Sequence, residues 1–320
     1  MAKDRGKRDL ISILDLSSDE IVQILLSAKE LKEGDRIRQT LNGKVLGMIF
    51  QKPSTRTRVS FEVAMYQLGG QALFLSAQDL QLSRGEAIKD TAKTLSRYLD
   101  GIMVRAYDHR VVVELAKESS IPVINGLSDL LHPCQVLADI FTIAEKKERL
   151  PHLSAKELSD IRITFVGDGN NVANSWINGV ARMGMKLVVS TPPGYEPDKK
   201  ILEGGLKLAK ATGADIRVLH NAEEAIRGAD VIYTDVWVSM GMEKERAERL
   251  KKFKPYQVNG RLMAKAKKDV LVMHCLPAHR GEEITDEVLD GPNSIVFDQA
   301  ENRLHVQKAI LEFLLGRMKG

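Results

Sequence analysis

Cysteine is nearly absent: the 320 residues contain two, Cys134 and Cys275, far apart in sequence. Neither a disulfide framework nor the paired spacing of a structural zinc site can be built from them. Aromatic residues make up only 5%, and 47 basic against 43 acidic residues leave a net charge of +4. That balance offers no strong field for a nucleic-acid backbone, and so few rings offer no stacking platform for bases. No uninterrupted apolar run approaches the ~20 residues that cross a bilayer. The opening segment, Met1 to Asp9, is charged and lacks the apolar core of a signal peptide. These absences exclude membrane and nucleic-acid roles and point to a soluble, cytoplasmic protein.

What is present is ordinary for a globular enzyme: 43% hydrophobic and 28% charged residues, in a chain long enough for two domains. Strand-like apolar runs fall near residues 45–50, 71–75, 101–105 and 121–124, then 161–166, 186–190, 215–219, 231–234, 270–273 and 294–297. Segments of helical period lie between them, in the first half near 17–33, 55–69, 86–99, 109–118 and 133–147. This alternation predicts an α/β protein of two doubly wound domains with parallel sheets. The polar, proline-containing stretch 146–154 divides the two series, giving domains of 1–148 and 149–300. From Glu301 a further helix, with Leu304, Ala309, Ile310, Phe313 and Leu314 on one face, would return to the first domain.

In open parallel sheets ligands bind beyond the carboxyl ends of the strands, and polar clusters fall at those ends. After Val45–Phe50 comes Lys52-Pro53-Ser54-Thr55-Arg56-Thr57-Arg58, opening the helical run from Val59. A helix N-terminus with unpaired N–H groups, three hydroxyls and two guanidiniums suits a phosphate or carboxylate better than it suits a simple cap. Arg105 ends the strand Gly101–Val104. His132-Pro133-Cys134-Gln135 follows the next strand; Pro133 fits a first helical turn, and His132 could donate to a developing oxyanion. Gly167-Asp168-Gly169-Asn170-Asn171-Val172 resembles a nucleotide turn but lacks the third glycine of G-x-G-x-x-G, and suits a small polar ligand better. Asp235, at the end of 231–234, precedes a loop with Ser239, Met240 and Gly241 that could move as a lid. Cys275 leaves a strand beside His274 and His279. It is either a thiol activated by its neighbours or an inert buried one.

Taken together, Ser54-Thr55-Arg56-Thr57-Arg58, His132-Pro133-Cys134-Gln135, Asp235 with Ser239-Met240-Gly241, and His274-Cys275-Leu276-Pro277 resemble the carbamoyltransferases, over nearly the whole chain from residue 10. The first two motifs are shared with the aspartate type; the last two are features of the ornithine type. The resemblance implies a carbamoyl phosphate domain first, an amino-acid domain second, and trimers or assemblies of trimers with sites between subunits. Carbamoyl phosphate would be held by Ser54, Thr55, Arg56, Thr57, Arg105, His132, Pro133, Cys134, Gln135, Cys275, Leu276 and Arg303, and by Gln81 reaching into a neighbouring subunit. Ornithine would be held by Asn171, Asp235, Ser239 and Met240. The catalytic group would be Arg105, His132, Asp235 and Cys275, with no metal, cofactor or covalent intermediate required.

The chemistry agrees with the resemblance. Two guanidiniums and a helix N-terminus would neutralise departing phosphate, while Thr57, Arg105 and His132 would donate to the carbonyl oxygen. Loss of one such donor typically costs ~3–4 kcal/mol of barrier. The rivals are a carbamoyltransferase for putrescine or acylated ornithine, a nucleotide-dependent dehydrogenase suggested by Gly167-Asp168-Gly169, and a non-catalytic carbamoyl phosphate binder.

Overall fold

Val45–Phe50 and Gly101–Arg105 are buried along nearly their whole length, as strands covered on both faces must be. The computed structural model describes residues 6–239 and 241–316, apart from the side chains of Leu82, Ser83 and Glu243. It forms two units, residues 1–141 with 301–320, and residues 142–300.

In the first unit β1 (Val45–Phe50), β2 (Gln71–Ser76), β3 (Gly101–Arg105) and β4 (Val123–Leu127) make a wholly parallel sheet in the order β2-β1-β3-β4. Its helices are α1 (Ser18–Glu33), α2 (Thr55–Gln67), α3 (Ile88–Leu95), α4 (His109–Glu118) and the start of α5 (Pro133–Lys146). Local chemistry sets their ends. A Ser17/Glu20 capping box opens α1 and Asp108 caps α4. Pro133 begins α5, where its missing N–H costs nothing.

The second unit carries β5 (Arg162–Val166), β6 (Lys186–Ser190), β7 (Asp215–Leu219), β8 (Val231–Thr234) and β9 (Leu271–His274), again all parallel, in the order β7-β6-β5-β8-β9. Around it lie α6 (Ala155–Leu158), α7 (Asn171–Met183), α8 (Lys199–Thr212), α9 (Ala222–Ala225), α10 (Arg246–Phe253), α11 (Gly260–Met263) and α12 (Asp286–Leu289). The core centres on Tyr233, stacked on Phe165 at 5.4 Å and edge-on to Trp176 at 5.9 Å between ring centroids. The final helix, α13 (Val296–Leu315), passes into the first unit at Glu301. There Lys308 is buried, its Nζ donating to the Leu31 carbonyl at 3.2 Å.

Two elements depart from the sequence expectation. The strand expected at 294–297 does not form: Ser294 makes a single bridge to Val272, and the chain enters α13 at Val296. The β-branched, aromatic run Ile295-Val296-Phe297 favours a strand locally, but its backbone is taken up by the helix, with Gln299 N–H donating to the Ile295 carbonyl at 2.9 Å. β4 begins at Val123 rather than at residue 121. Pro122 has no N–H for the ladder, and its carbonyl accepts from Ile102 instead.

Strand order reverses between β1 and β3 in the first sheet, and between β5 and β8 in the second. Those are the switch points at which an open sheet leaves a crevice beyond its strand ends.

Candidate active site

At the first switch point the turn after β1 runs into α2. Ser54 caps the helix, its Oγ accepting from Thr57 N–H at 3.2 Å, and Thr55 and Arg56 form the first turn. Arg105 leaves the adjacent strand, buried at 7% exposure. Arg303, from α13, reaches the same region. Its Nη2 donates to Thr57 Oγ1 at 3.1 Å and its Nη1 to Gln135 Oε1 at 2.5 Å. Gln135 in turn donates from Nε2 to Asp139 Oδ1 at 2.8 Å. Three distant segments are thereby fastened around one guanidinium.

His132 is buried at the head of α5. Burial, and then the positive charges of Arg303, Arg105 and Arg56, hold its imidazole well below its ordinary pKa. It is therefore neutral at physiological pH and retains one ring N–H as a donor. Cys134 is buried next to it. Burial pushes its thiol up to about 12, and Sγ donates to the Asn125 carbonyl at 3.5 Å. Lys52, a cation the sequence reading did not single out, is also largely buried. Burial, then the charge of Arg105, lowers its pKa, and its Nζ lies 4.6 Å from the centroid of the Tyr107 ring. Gln81 is exposed, at the start of a short 3-10 turn.

The second switch point brings the turns after β5 and β8 together. Asn170 caps α7 by accepting from Val172 and Ala173 N–H at 2.9 and 3.2 Å, and its Nδ2 donates to Asp235 Oδ2 at 2.7 Å. Asp235 Oδ1 accepts from Val236 N–H at 2.8 Å and from Cys275 Sγ at 3.0 Å. Asn171, expected to contact substrate, is the first residue of α7 and half-buried. Its neighbour Asn170 holds Asp235, a contact the sequence gave no sign of.

Asp168 pairs with Arg249 at 3.0 Å, and its carboxyl is pushed up to about 6 by burial, against the pull of that guanidinium. Arg249 also donates to the Trp237 carbonyl at 3.0 Å and lies 4.9 Å from the centroid of the Tyr195 ring. It thus ties the turn after β5 to the loop after Asp235. Ser239 is half-buried in that loop, and Met240 lies outside the described residues. Beyond β9, Leu276 has a left-handed backbone (φ 55°) and precedes a cis bond to Pro277, with its N–H donating to His274 Nδ1 at 2.8 Å. Non-glycine residues held in that region are strained and concentrate at functional sites.

A dinucleotide turn needs a bare glycine facing the pyrophosphate. Here a Cβ on Gly169 would meet Pro197 N at 2.3 Å and Glu196 C at 2.4 Å. The space beside Gly169 is filled by the chain's own backbone, which removes the dehydrogenase reading.

The cations and neutral donors at the first switch point suit an anion, and the carboxylate beside a thiol at the second suits an amine. The family profile described as "Aspartate/ornithine carbamoyltransferase, carbamoyl-P binding domain" matches residues 8–145, and "Aspartate/ornithine carbamoyltransferase, Asp/Orn binding domain" matches residues 159–314. The chain belongs to the aspartate/ornithine carbamoyltransferase family. Several of its relatives are named ornithine carbamoyltransferase. Ornithine carbamoyltransferase of Syntrophus aciditrophicus is 56% identical over 97% of this chain and 100% of its own length. That of Pyrococcus abyssi is 56% identical over 98% and 97%. The solved structure of ornithine carbamoyltransferase from Pyrococcus furiosus superposes with a TM-score of 0.91 at 54% identity, covering 98% of this chain and 99% of the other. Among the described residues, no helix is long and apolar enough to cross a membrane.

Proposed function

We propose that this protein transfers the carbamoyl group of carbamoyl phosphate to the δ-amine of L-ornithine, giving L-citrulline and phosphate. The observation that carries the choice of ornithine over aspartate is the hydrogen bond from Cys275 Sγ to Asp235 Oδ1 at 3.0 Å. A carboxylate held beside a thiol and an asparagine amide attracts an ammonium group, whereas a second carboxylate there would be repelled. The nearly complete coverage of relatives named ornithine carbamoyltransferase supports the same reading.

In this reading residues 1–148 hold carbamoyl phosphate, residues 149–300 hold ornithine, and the helix beyond 301 belongs with the former. Ser54, Thr55, Arg56, Thr57 and the N-terminus of α2 cradle the phosphate, with Arg105 offsetting the charge it gains on leaving. The neutral His132 donates to the carbonyl oxygen as the amine attacks. An uncharged donor suits that step because it gives no proton away before charge develops. Gln135 and the segment from Pro133 frame the carbamoyl group, and Arg303 positions Thr57 and Gln135. Cys275 and Leu276 face the amine. Asn171, Ser239 and Met240 take the amino-acid end. The δ-amine has a reference pKa near ~10.4 as a lysine-like group, so it arrives as an ammonium and must lose a proton before it attacks, while Asp235 and Cys275 orient it. Carbamoyl phosphate is already activated, so alignment of the two substrates supplies most of the rate.

We further infer a cytoplasmic homotrimer, or an assembly of trimers, in which the exposed Gln81 serves a neighbouring subunit. Incubating the purified chain with carbamoyl phosphate and ornithine, putrescine, acetylornithine or aspartate tests the function. Citrulline and phosphate in equal amounts, with ornithine preferred, is the expected result. Preference for another amine would overturn the roles given to residues 235–241.

A further inference from the structure

Downstream of Leu276, His279, Glu282 and Glu283 each offer a ligand atom, and the three atoms lie within 4.8 Å of one another. His279 Nδ1, Glu282 Oε2 and Glu283 Oε2 are shielded from solvent and, among the described residues, have no hydrogen-bond partner. Glu283 is completely buried, and a carboxylate oxygen left without a donor at such depth is costly. Its other oxygen, Oε1, is well supplied: it accepts from His279 N–H at 2.6 Å and is 3.0 Å from His274 Nε2. His274 Nδ1 accepts from Leu276 N–H at 2.8 Å, so the ring proton sits on Nε2 and points at Glu283. Glu282 Oε1 is likewise engaged, by Arg246 Nη2. Each carboxylate therefore has one oxygen fixed by donors and one shielded and unmatched.

We propose that His279, Glu282 and Glu283 form a site for a first-row divalent transition metal such as Zn2+. One imidazole and two carboxylates are a borderline donor set that suits such an ion. His279 Nδ1 and Glu282 Oε2 stand 3.7 Å apart, too far for a hydrogen bond. The separation is close to the ~3.4 Å edge of a tetrahedron built on bonds of about 2.1 Å. The His274–Glu283 contact is the outer-shell support that orients a metal-bound carboxylate. The His279 side chain is 42% exposed, which places the trio near the surface. A second trio, Asp235, His274 and Cys275, also clusters within 4.8 Å. It fits an ion poorly, because both ring nitrogens of His274 are already engaged and Asp235 Oδ1 already accepts two donors. A metal at the first trio would pin the loop that follows Leu276 to β9 through Glu283 and His274.

The test is to strip the full-length protein with chelator and titrate it with Co2+ at neutral pH, then with Zn2+. The expected result is one Co2+ per chain, with the visible absorption of a four-coordinate nitrogen and oxygen site, no thiolate-to-cobalt charge-transfer band, and displacement by Zn2+. His279→Ala and Glu282→Gln, checked for folding by circular dichroism, should each weaken Co2+ binding by at least about tenfold. Cys275→Ser should leave the spectrum unchanged. The proposal is overturned if the wild-type protein takes up no Co2+, if the band shows thiolate character and vanishes in Cys275→Ser, or if folded His279→Ala and Glu282→Gln bind as tightly as wild type. Should either variant fail to fold, the wild-type spectrum alone decides between nitrogen and oxygen ligation and thiolate ligation.

Discussion

Replacing Asn170 by alanine removes both of the α7 cap bonds and the hydrogen bond to Asp235 in one step. Losing an N-cap costs about 1 kcal/mol of stability. A hydrogen bond to a charged group contributes roughly 1.5–3 kcal/mol. If that bond holds Asp235 in the orientation that receives the amine, its loss appears in kcat/KM for ornithine as a fall of roughly 10- to 150-fold, at 1.4 kcal/mol per decade. Asn170→Ser separates the two effects, since serine caps a helix well but is too short to reach Asp235. The expected pattern is that Asn170→Ser recovers the cap part of the stability in urea unfolding while ornithine kinetics stay impaired. The KM for carbamoyl phosphate should be unchanged in both variants. Wild-type ornithine kinetics in a folded Asn170→Ser protein would refute the reasoning, as would an equal rise in the carbamoyl phosphate KM.

Three other outcomes are expected. Because the folded state depresses the His132 pKa, the unfolded chain takes up a proton below about pH 6.5 that the folded protein refuses. Stability from this group is thus complete above that pH and is lost on acidification, with a slope approaching 1.4 kcal/mol per pH unit. His132→Gln should flatten urea-unfolding stability against pH by one proton's worth relative to wild type, and an unchanged slope would count against a buried neutral imidazole. Gly169→Ala pushes a methyl group into the backbone of residues 196–197 and should cost about 1–3 kcal/mol in urea unfolding; wild-type stability would contradict the close approach. Cys275→Ser should weaken ornithine use yet leave measurable turnover, and complete loss of chemistry with both substrates still bound would indicate a covalent role for the thiol.

Most of the fold was readable because parallel strands buried on both faces are near-continuous apolar runs, and nine of them stand in the sequence where the structure has strands. The error at 294–297 has the opposite cause: Ile295-Val296-Phe297 carries strand propensity, and tertiary context overrode it. The polar ends of β1, β3, β5 and β8 were legible through turn and cap chemistry. Contacts across long sequence separations were not. Thr57 with Arg303, Asp235 with Cys275 and Asp168 with Arg249 are separated by tens to hundreds of residues, and no local pattern encodes such a meeting. The pair Asn170-Asn171 shows the finer limit, since only the entry angle of α7 decides which amide turns toward Asp235. The trio after Leu276 escaped because His279, Glu282 and Glu283 look, in sequence, like an ordinary polar loop.

The guanidinium of Arg303 has a consequence for how the protein is made. Its partner Gln135 lies 168 residues earlier in the chain. At the ~5–20 residues per second of translation, Gln135 emerges roughly 10–30 s before the side chain that fastens it. During synthesis Thr57 and Gln135 thus exist without the side chain that joins them. Nascent chains halted before residue 296 should therefore be cut readily by protease around residues 52–58, and chains that include α13 should resist.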